Sequence, residues 1–272
     1  MKKRALQAII RKDLTAVLRS TGVMVPMIVV PLIFFILIPV LTSLAPNLVN
    51  LPGTNLTEFE TFLARMPGGL QEVLKPYTLE QSVVVMMVVY FFAPMFLIVP
   101  LMVSSVIAAD SFAGEKERGT IEALLYTPLS DQELFLAKLL AAWIPSLVVS
   151  LVGFVIYTLA ANLAGWRIMG GWFFPNWMWV ALVVWVSPAV AGLGLSTMVL
   201  VSSRVKGFQE ANQIGGVIVL PILLLVIGQT AGVMYFNVPL VLLLGVIIWA
   251  VDAVLFWIGV RTFARERLVV GD

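Results

Sequence analysis

From residue 211 to residue 251 the chain runs 41 positions without one charged side chain, and four other long uncharged runs lie between Arg19 and Glu58, Glu80 and Asp110, Lys138 and Arg167, and Arg167 and Arg204. A charge at the centre of a bilayer costs about 2.5–3.5 kcal/mol or more, so charges mark where a chain leaves hydrocarbon. Each of the four shorter runs exceeds the roughly 20 residues that a helix needs to cross about 30 Å. The longest is enough for two crossings, with a turn at Phe236-Asn237-Val238-Pro239. The sequence therefore predicts an all-α membrane protein of six transmembrane helices, at about 22–44, 82–108, 138–163, 178–201, 213–234 and 239–260. Composition agrees. With 61% hydrophobic and 12% charged residues, there is too little polar surface to cover a water-soluble globule of 272 residues. Histidine and cysteine are both absent, which removes imidazole and thiolate chemistry, disulfides, and metal sites built on either residue.

The basic residues give an orientation. Six lie before the first span, three between spans two and three, two between four and five, and three after the sixth, whereas Arg65, Lys75 and Arg167 alone occupy the other side. The positive-inside rule then places both termini in the cytoplasm and residues 45–80 outside. Trp166, Trp172, Trp177 and Trp179 cluster at the expected outer end of spans three and four, where indole rings favour the headgroup boundary. The first apolar run is too long for the core of a cleaved signal peptide and reads as a retained first span.

Three segments outside the membrane have a pattern of their own. In residues 1–21, Leu6, Ile9, Ile10, Leu14, Val17 and Leu18 share one helical face and the basic residues lie largely elsewhere, which predicts an interfacial amphipathic helix. In the outer loop 45–80, Phe59, Phe62, Leu63 and Met66, then Leu70, Val73 and Leu74, are helix-spaced around Pro67-Gly68-Gly69 and predict two short helices. The cytoplasmic loop 109–137 packs six charges from Asp110 to Glu122, is interrupted at Tyr126-Thr127-Pro128, and restarts at Ser130-Asp131-Gln132-Glu133 as a capping box.

In that loop the order Gly114-Glu115-Lys116-Glu117-Arg118-Gly119-Thr120-Ile121-Glu122-Ala123-Leu124-Leu125, followed by Thr127-Pro128-Leu129-Ser130 and then Lys138, resembles the permease subunits of the ABC-2 family of ATP-binding-cassette transporters. The resemblance implies one ABC-2-type transmembrane domain over residues 1–272, acting in the cell inner (cytoplasmic) membrane as part of an exporter. It also implies a pair of permeases, identical or related, and two ATPase subunits on the cytoplasmic face, with the loop as a coupling helix seated in an ATPase cleft. On that reading Glu115, Lys116, Glu117, Arg118 and Glu122 offer ion-pair partners at a wet interface, Ile121, Leu124 and Leu125 anchor the helix, and Gly114, Gly119 and Thr120 complete the contact. The dipeptide Gly-Lys of a phosphate-cradling loop occurs nowhere, so ATP and magnesium are expected on the partner chain, with no cofactor and no catalytic role here.

Inside the spans, Asp252 is the one ionisable group deep in an apolar run and is a candidate for the transport path. The competing reading is a structural Asp at a helix contact, either protonated or hydrogen-bonded to a hydroxyl such as Ser187 or Ser196. Gly228 and Gly232 form a G-x-x-x-G in span five and are candidate dimer contacts. A different class of function, an ion-coupled secondary transporter or channel, would route its ion past Asp252, Gln229 and Asn162. The apolar, aromatic-rich interior suits a hydrophobic, amphipathic or lipid-linked cargo. Nucleic acid is not an expected partner of a chain with net charge +2.

Overall fold

The structure, a computed structural model, describes residues 10–12, 15, 17, 19–49, 61–120, 131–205 and 207–262. Six helices among them are long and apolar enough to cross a membrane: α1 (Thr21–Leu44), α2 (Leu79–Glu117), α3 (Glu133–Met169), α4 (Trp177–Ser202), α5 (Phe208–Thr230) and α6 (Val238–Gly259). The chain is a multi-pass helical membrane protein. No strand occurs among the described residues.

The helices differ in how much of their surface the bundle covers. α2 lies at the centre, with 78% of its most apolar stretch buried, against 17% for each of α1, α5 and α6. α3 and α4 pack directly on α2, and α6 packs outside α4. The α2–α4 contact is close because Gly194 has no side chain: a Cβ there would lie 2.9 Å from the Leu101 carbonyl oxygen and 2.6–2.7 Å from the hydroxyls of Ser105 and Ser104. Gly153 does the same for α1 and α3, where the Phe35 ring occupies the space of the missing Cβ.

α2 and α3, with 39 and 37 residues, are about 55–60 Å long, nearly twice the hydrocarbon thickness. Both therefore extend well past an apolar slab. α2 starts at Thr78, whose hydroxyl accepts from the Gln81 backbone N–H while the Gln81 side chain accepts from Thr78, a Thr-x-x-Gln capping box. It ends at Gly119, which takes φ +66°. There Gly119 N–H donates to the Lys116 carbonyl (3.1 Å) and Thr120 N–H to the Glu115 carbonyl (3.0 Å), the paired bonds of a Schellman ending. Span two was expected to stop near 108. Instead Asp110–Gly114, as a π-helical turn, and Glu115–Glu117 continue the same helix.

Three other expectations change. Helix α5 begins at Phe208, earlier than the expected 213, and tightens to a 3-10 turn over Gly216–Val219 before Pro221, whose missing N–H cannot continue the ladder. It ends at Thr230, so Gly232 lies in the following turn with φ +74°, and a Cβ on it would meet the Arg65 carbonyl oxygen at 2.8 Å. Gly228 faces Met234 of the same chain. The two glycines thus do not form one helical face. In the outer loop, Leu70, Leu74 and Met66 are buried as the helical spacing requires, and the short helix Gly68–Leu74 forms, but Val73 is exposed. Phe59 lies outside the described residues.

Trp166, Trp172 and Trp177 are exposed, as a headgroup belt requires, whereas Trp179 is fully buried. Two residues along a helix turn about 200°, so Trp177 and Trp179 point to opposite faces. Trp179 stacks on Tyr157 (ring centroids 4.9 Å) and meets Phe174 (4.9 Å) and Phe96 (5.3 Å) edge-on. Its indole Nε1 donates to the Val89 carbonyl (2.7 Å) and the Tyr157 hydroxyl to the Val88 carbonyl (2.6 Å). Both acceptors sit in the π-helical stretch Val85–Phe91 of α2. A π-turn loosens the regular ladder, and carbonyls in hydrocarbon need donors, which α3 and α4 supply here.

Candidate functional site

The charged motif at the end of α2 turns inward. Glu115 is 5% exposed; it accepts from Lys12 Nζ at 2.5 Å and from Lys138 Nζ at 2.6 Å. Lys138, at the start of α3, is 2% exposed and also donates to the Ser111 carbonyl (2.7 Å) and hydroxyl (3.2 Å). Its ammonium stands 5.2 Å from the centre of the Phe112 ring. Removing a carboxylate and an ammonium from water is expensive, and the second lysine and the Ser111 oxygens are what compensate it.

The neighbouring residues extend the same network. Arg118 pairs with the buried Asp110 at 2.9 Å and also bonds the Asp110 carbonyl at 3.3 Å, and the carboxylate holds the guanidinium above its ordinary pKa. Gly114 makes that fold-back possible, since a Cβ on it would fall 2.8 Å from Asp110 Oδ1 and 3.2 Å from the Arg118 nitrogens. Glu117 Oε2 accepts from the Phe208 backbone N–H at 2.9 Å, capping the N-terminus of α5. Gly207 leaves room for it; a Cβ there would approach Glu117 Oε2 to 2.6 Å. Lys116 reaches the Val205 carbonyl at 3.4 Å.

Each residue from Gly114 to Gly119 thus has an intramolecular task. Together they clasp four segments at one end of the bundle: the N-terminal segment through Lys12, the end of α2, the start of α3 and the α4–α5 turn. Glu115 was expected at a wet interface with another protein and is instead buried among its own lysines. Gly119 was expected to allow close approach of a partner; nothing lies within 4 Å of its Cβ position, and its left-handed conformation ends α2. Thr120 is exposed and bonds back to the Glu115 carbonyl. Ile121, Glu122, Leu124, Leu125 and the Ser130 capping box lie outside the described residues, as do Leu6, Ile9, Leu14 and Leu18. Val17 is buried, in keeping with its place on the apolar face, while Arg11, Lys12 and Arg19 are exposed.

The polar groups inside the spans separate clearly. Asn162 is consumed by the connection between α3 and α4: its amide donates to the carbonyls of Thr158 (2.8 Å) and Phe174 (2.6 Å) and accepts from the N–H groups of Phe173 and Phe174. It is therefore not available to an ion path. Ser187 pairs with Ser150 at 2.6 Å rather than with Asp252. Asp252 is buried, and neither of its oxygens has a hydrogen-bond partner among the described residues.

Six helices long and apolar enough to cross a membrane, joined at one end by a charged clasp, define a multi-pass membrane protein. The family model of the ABC-2 family transporter protein matches residues 7–248. The chain belongs to the ABC-2 transporter family and is an ABC-type permease by that membership. No curated protein matches it.

Proposed function

We propose that the chain is the membrane half of an ATP-driven exporter in the cytoplasmic membrane, working as a pair of permease copies or with a close relative, and served by two ATPase subunits at the clasp end. ATP and magnesium belong to those subunits. The cargo is hydrophobic, amphipathic or lipid-linked and moves outward. The observation that carries this reading is the clasp. A displacement applied to the segment after Gly119 reaches the N-terminal segment through Lys12, α3 through Lys138 and α5 through Glu117, so one push is shared by three parts of the chain. Residues 120–125, with Ile121, Glu122, Leu124 and Leu125, are then the surface offered to the ATPase, and Gly114–Gly119 is the joint behind it. Gly228, which faces Met234, and Gly232, which packs on the Arg65 carbonyl, remain the candidate contacts with the second copy.

Glu117→Ala tests the joint. It removes one helix cap, worth about 0.5–2 kcal/mol, so the chain still folds. With the ATPase that co-purifies from native membranes, the variant should assemble and hydrolyse ATP in liposomes while moving markedly less cargo per ATP. Unchanged coupling would refute the joint, and absence of any co-purifying ATPase would refute the exporter.

The orientation has its own test. Cysteine introduced at Thr61, which is exposed in this naturally Cys-free chain, should react with an impermeant thiol reagent applied to intact cells, and one at the exposed Ser203 should react only after permeabilisation. The opposite pattern would invert the topology.

A further inference from the structure

Asp252 stands in an apolar groove whose described lining comes from three helices other than α2. The groove is a cavity of about 350 Å³ between α3, α4 and α6. Asp252 is 6% exposed, and both carboxylate oxygens are buried without a hydrogen-bond partner among the described residues. Gly192 keeps the space beside it, because a Cβ there would lie 2.6 Å from Asp252 Oδ2. Trp143 and Trp249 line the same cavity, but their ring N–H groups are turned to the carbonyls of Pro188 (3.0 Å) and Trp185 (3.2 Å) and donate nothing to the carboxylate. Among the described residues no lysine or arginine lines the groove, and Lys138, one residue from its wall at Leu139, is engaged by Glu115 and Ser111. Leu136 and Phe256 on the rim are each more than two-fifths exposed, so the groove opens toward lipid.

An acid left alone in such a place is costly, and membrane proteins keep such groups where something pairs with them. The walls ask for an apolar body and the carboxylate asks for a positive charge. We propose that this groove binds a lipophilic ammonium compound, an amine carried on an acyl chain or a few fused rings, with the ammonium against Asp252 between the two indoles and the apolar body along Leu136, Leu139 and Phe256. The volume is that of a small-molecule site, and indole faces favour a cation. The inference concerns binding to this chain alone and needs no ATPase, so it stands or falls separately from the exporter reading.

The test uses the full chain in phosphatidylcholine nanodiscs and a matched pair of probes: a dansyl-labelled long-chain amine and its N-acetyl amide, which has the same body without the charge. Energy transfer from tryptophan to dansyl reports binding. The amine should bind saturably, and Asp252→Asn should weaken it by about tenfold or more, the scale of a charge-assisted hydrogen bond. The amide should bind more weakly than the amine and be indifferent to Asp252→Asn. Ala253→Trp, which fills the groove from an exposed position and leaves the carboxylate in place, should abolish saturable binding of the amine. Equal affinity of amine and amide would overturn the proposal and leave an ordinary apolar groove for an acyl chain or a second helix. So would undiminished amine binding by Asp252→Asn. Should that variant fail to fold, the comparison of the two probes on the unaltered chain decides the matter.

Discussion

Glu115→Ala should lower the unfolding free energy by about 3–5 kcal/mol, the cost of stripping a buried ion of its partner. Lys138 would remain 2% exposed with only the Ser111 oxygens to hold its ammonium. Lys12, whose side chain is half exposed, can swing into water and loses little. The asymmetry makes a sharper test. Combining Glu115→Ala with Lys138→Met should recover most of the loss, because no charge is then left buried, whereas adding Lys12→Met should recover little. Added salt should change these differences only slightly, since a buried pair is poorly screened. Unfolding in detergent followed by tryptophan fluorescence gives the comparison. A single Glu115→Ala variant within about 1 kcal/mol of the parent would mean that the clasp is not held by this pair.

The second large effect lies at the other end of the bundle. Trp179→Ala should cost about 3–5 kcal/mol, the range for emptying a large aromatic from a packed interior. Trp179→Phe separates two contributions: it keeps a ring against Tyr157 and Phe174 but leaves the Val89 carbonyl without its donor, and should cost about 1–3 kcal/mol. Trp177→Ala, two residues away and 81% exposed, should stay within about 0.5 kcal/mol. Similar losses for Trp177→Ala and Trp179→Ala would contradict the assignment of one indole to the surface and the other to the core.

These two sites also show where reading along the chain stops. The six spans, the segregation of basic residues and the family resemblance all follow from local pattern, because hydrocarbon excludes charge and unpaired backbone one residue at a time. The observed helices Thr21–Leu44, Trp177–Ser202 and Val238–Gly259 lie close to the expected spans for that reason. Thr78-Leu79-Glu80-Gln81 carries a helix start in plain view, and Gly119 its end, although span two was placed inside both.

What a charge or an indole does once it leaves that pattern depends on its neighbours in space. A glutamate near a membrane surface can face water, a partner protein or its own chain, and nothing near Glu115 in sequence distinguishes these; its lysines are 103 and 23 residues away. The same holds for Glu117, whose acceptor oxygen completes a helix that begins 91 residues later, and for Asn162, which holds the connection between α3 and α4. Asp252 is the reverse case. Its burial in a span was legible because a lone charge in an uncharged run is visible, but only packing decided that Ser187 pairs with Ser150, that Gly192 leaves space beside the carboxylate, and that both its oxygens remain open. Local pattern is decided by solvent, which every residue meets on its own; pairing is decided by which segments the fold brings within about 3 Å, and that distance has no counterpart along the chain.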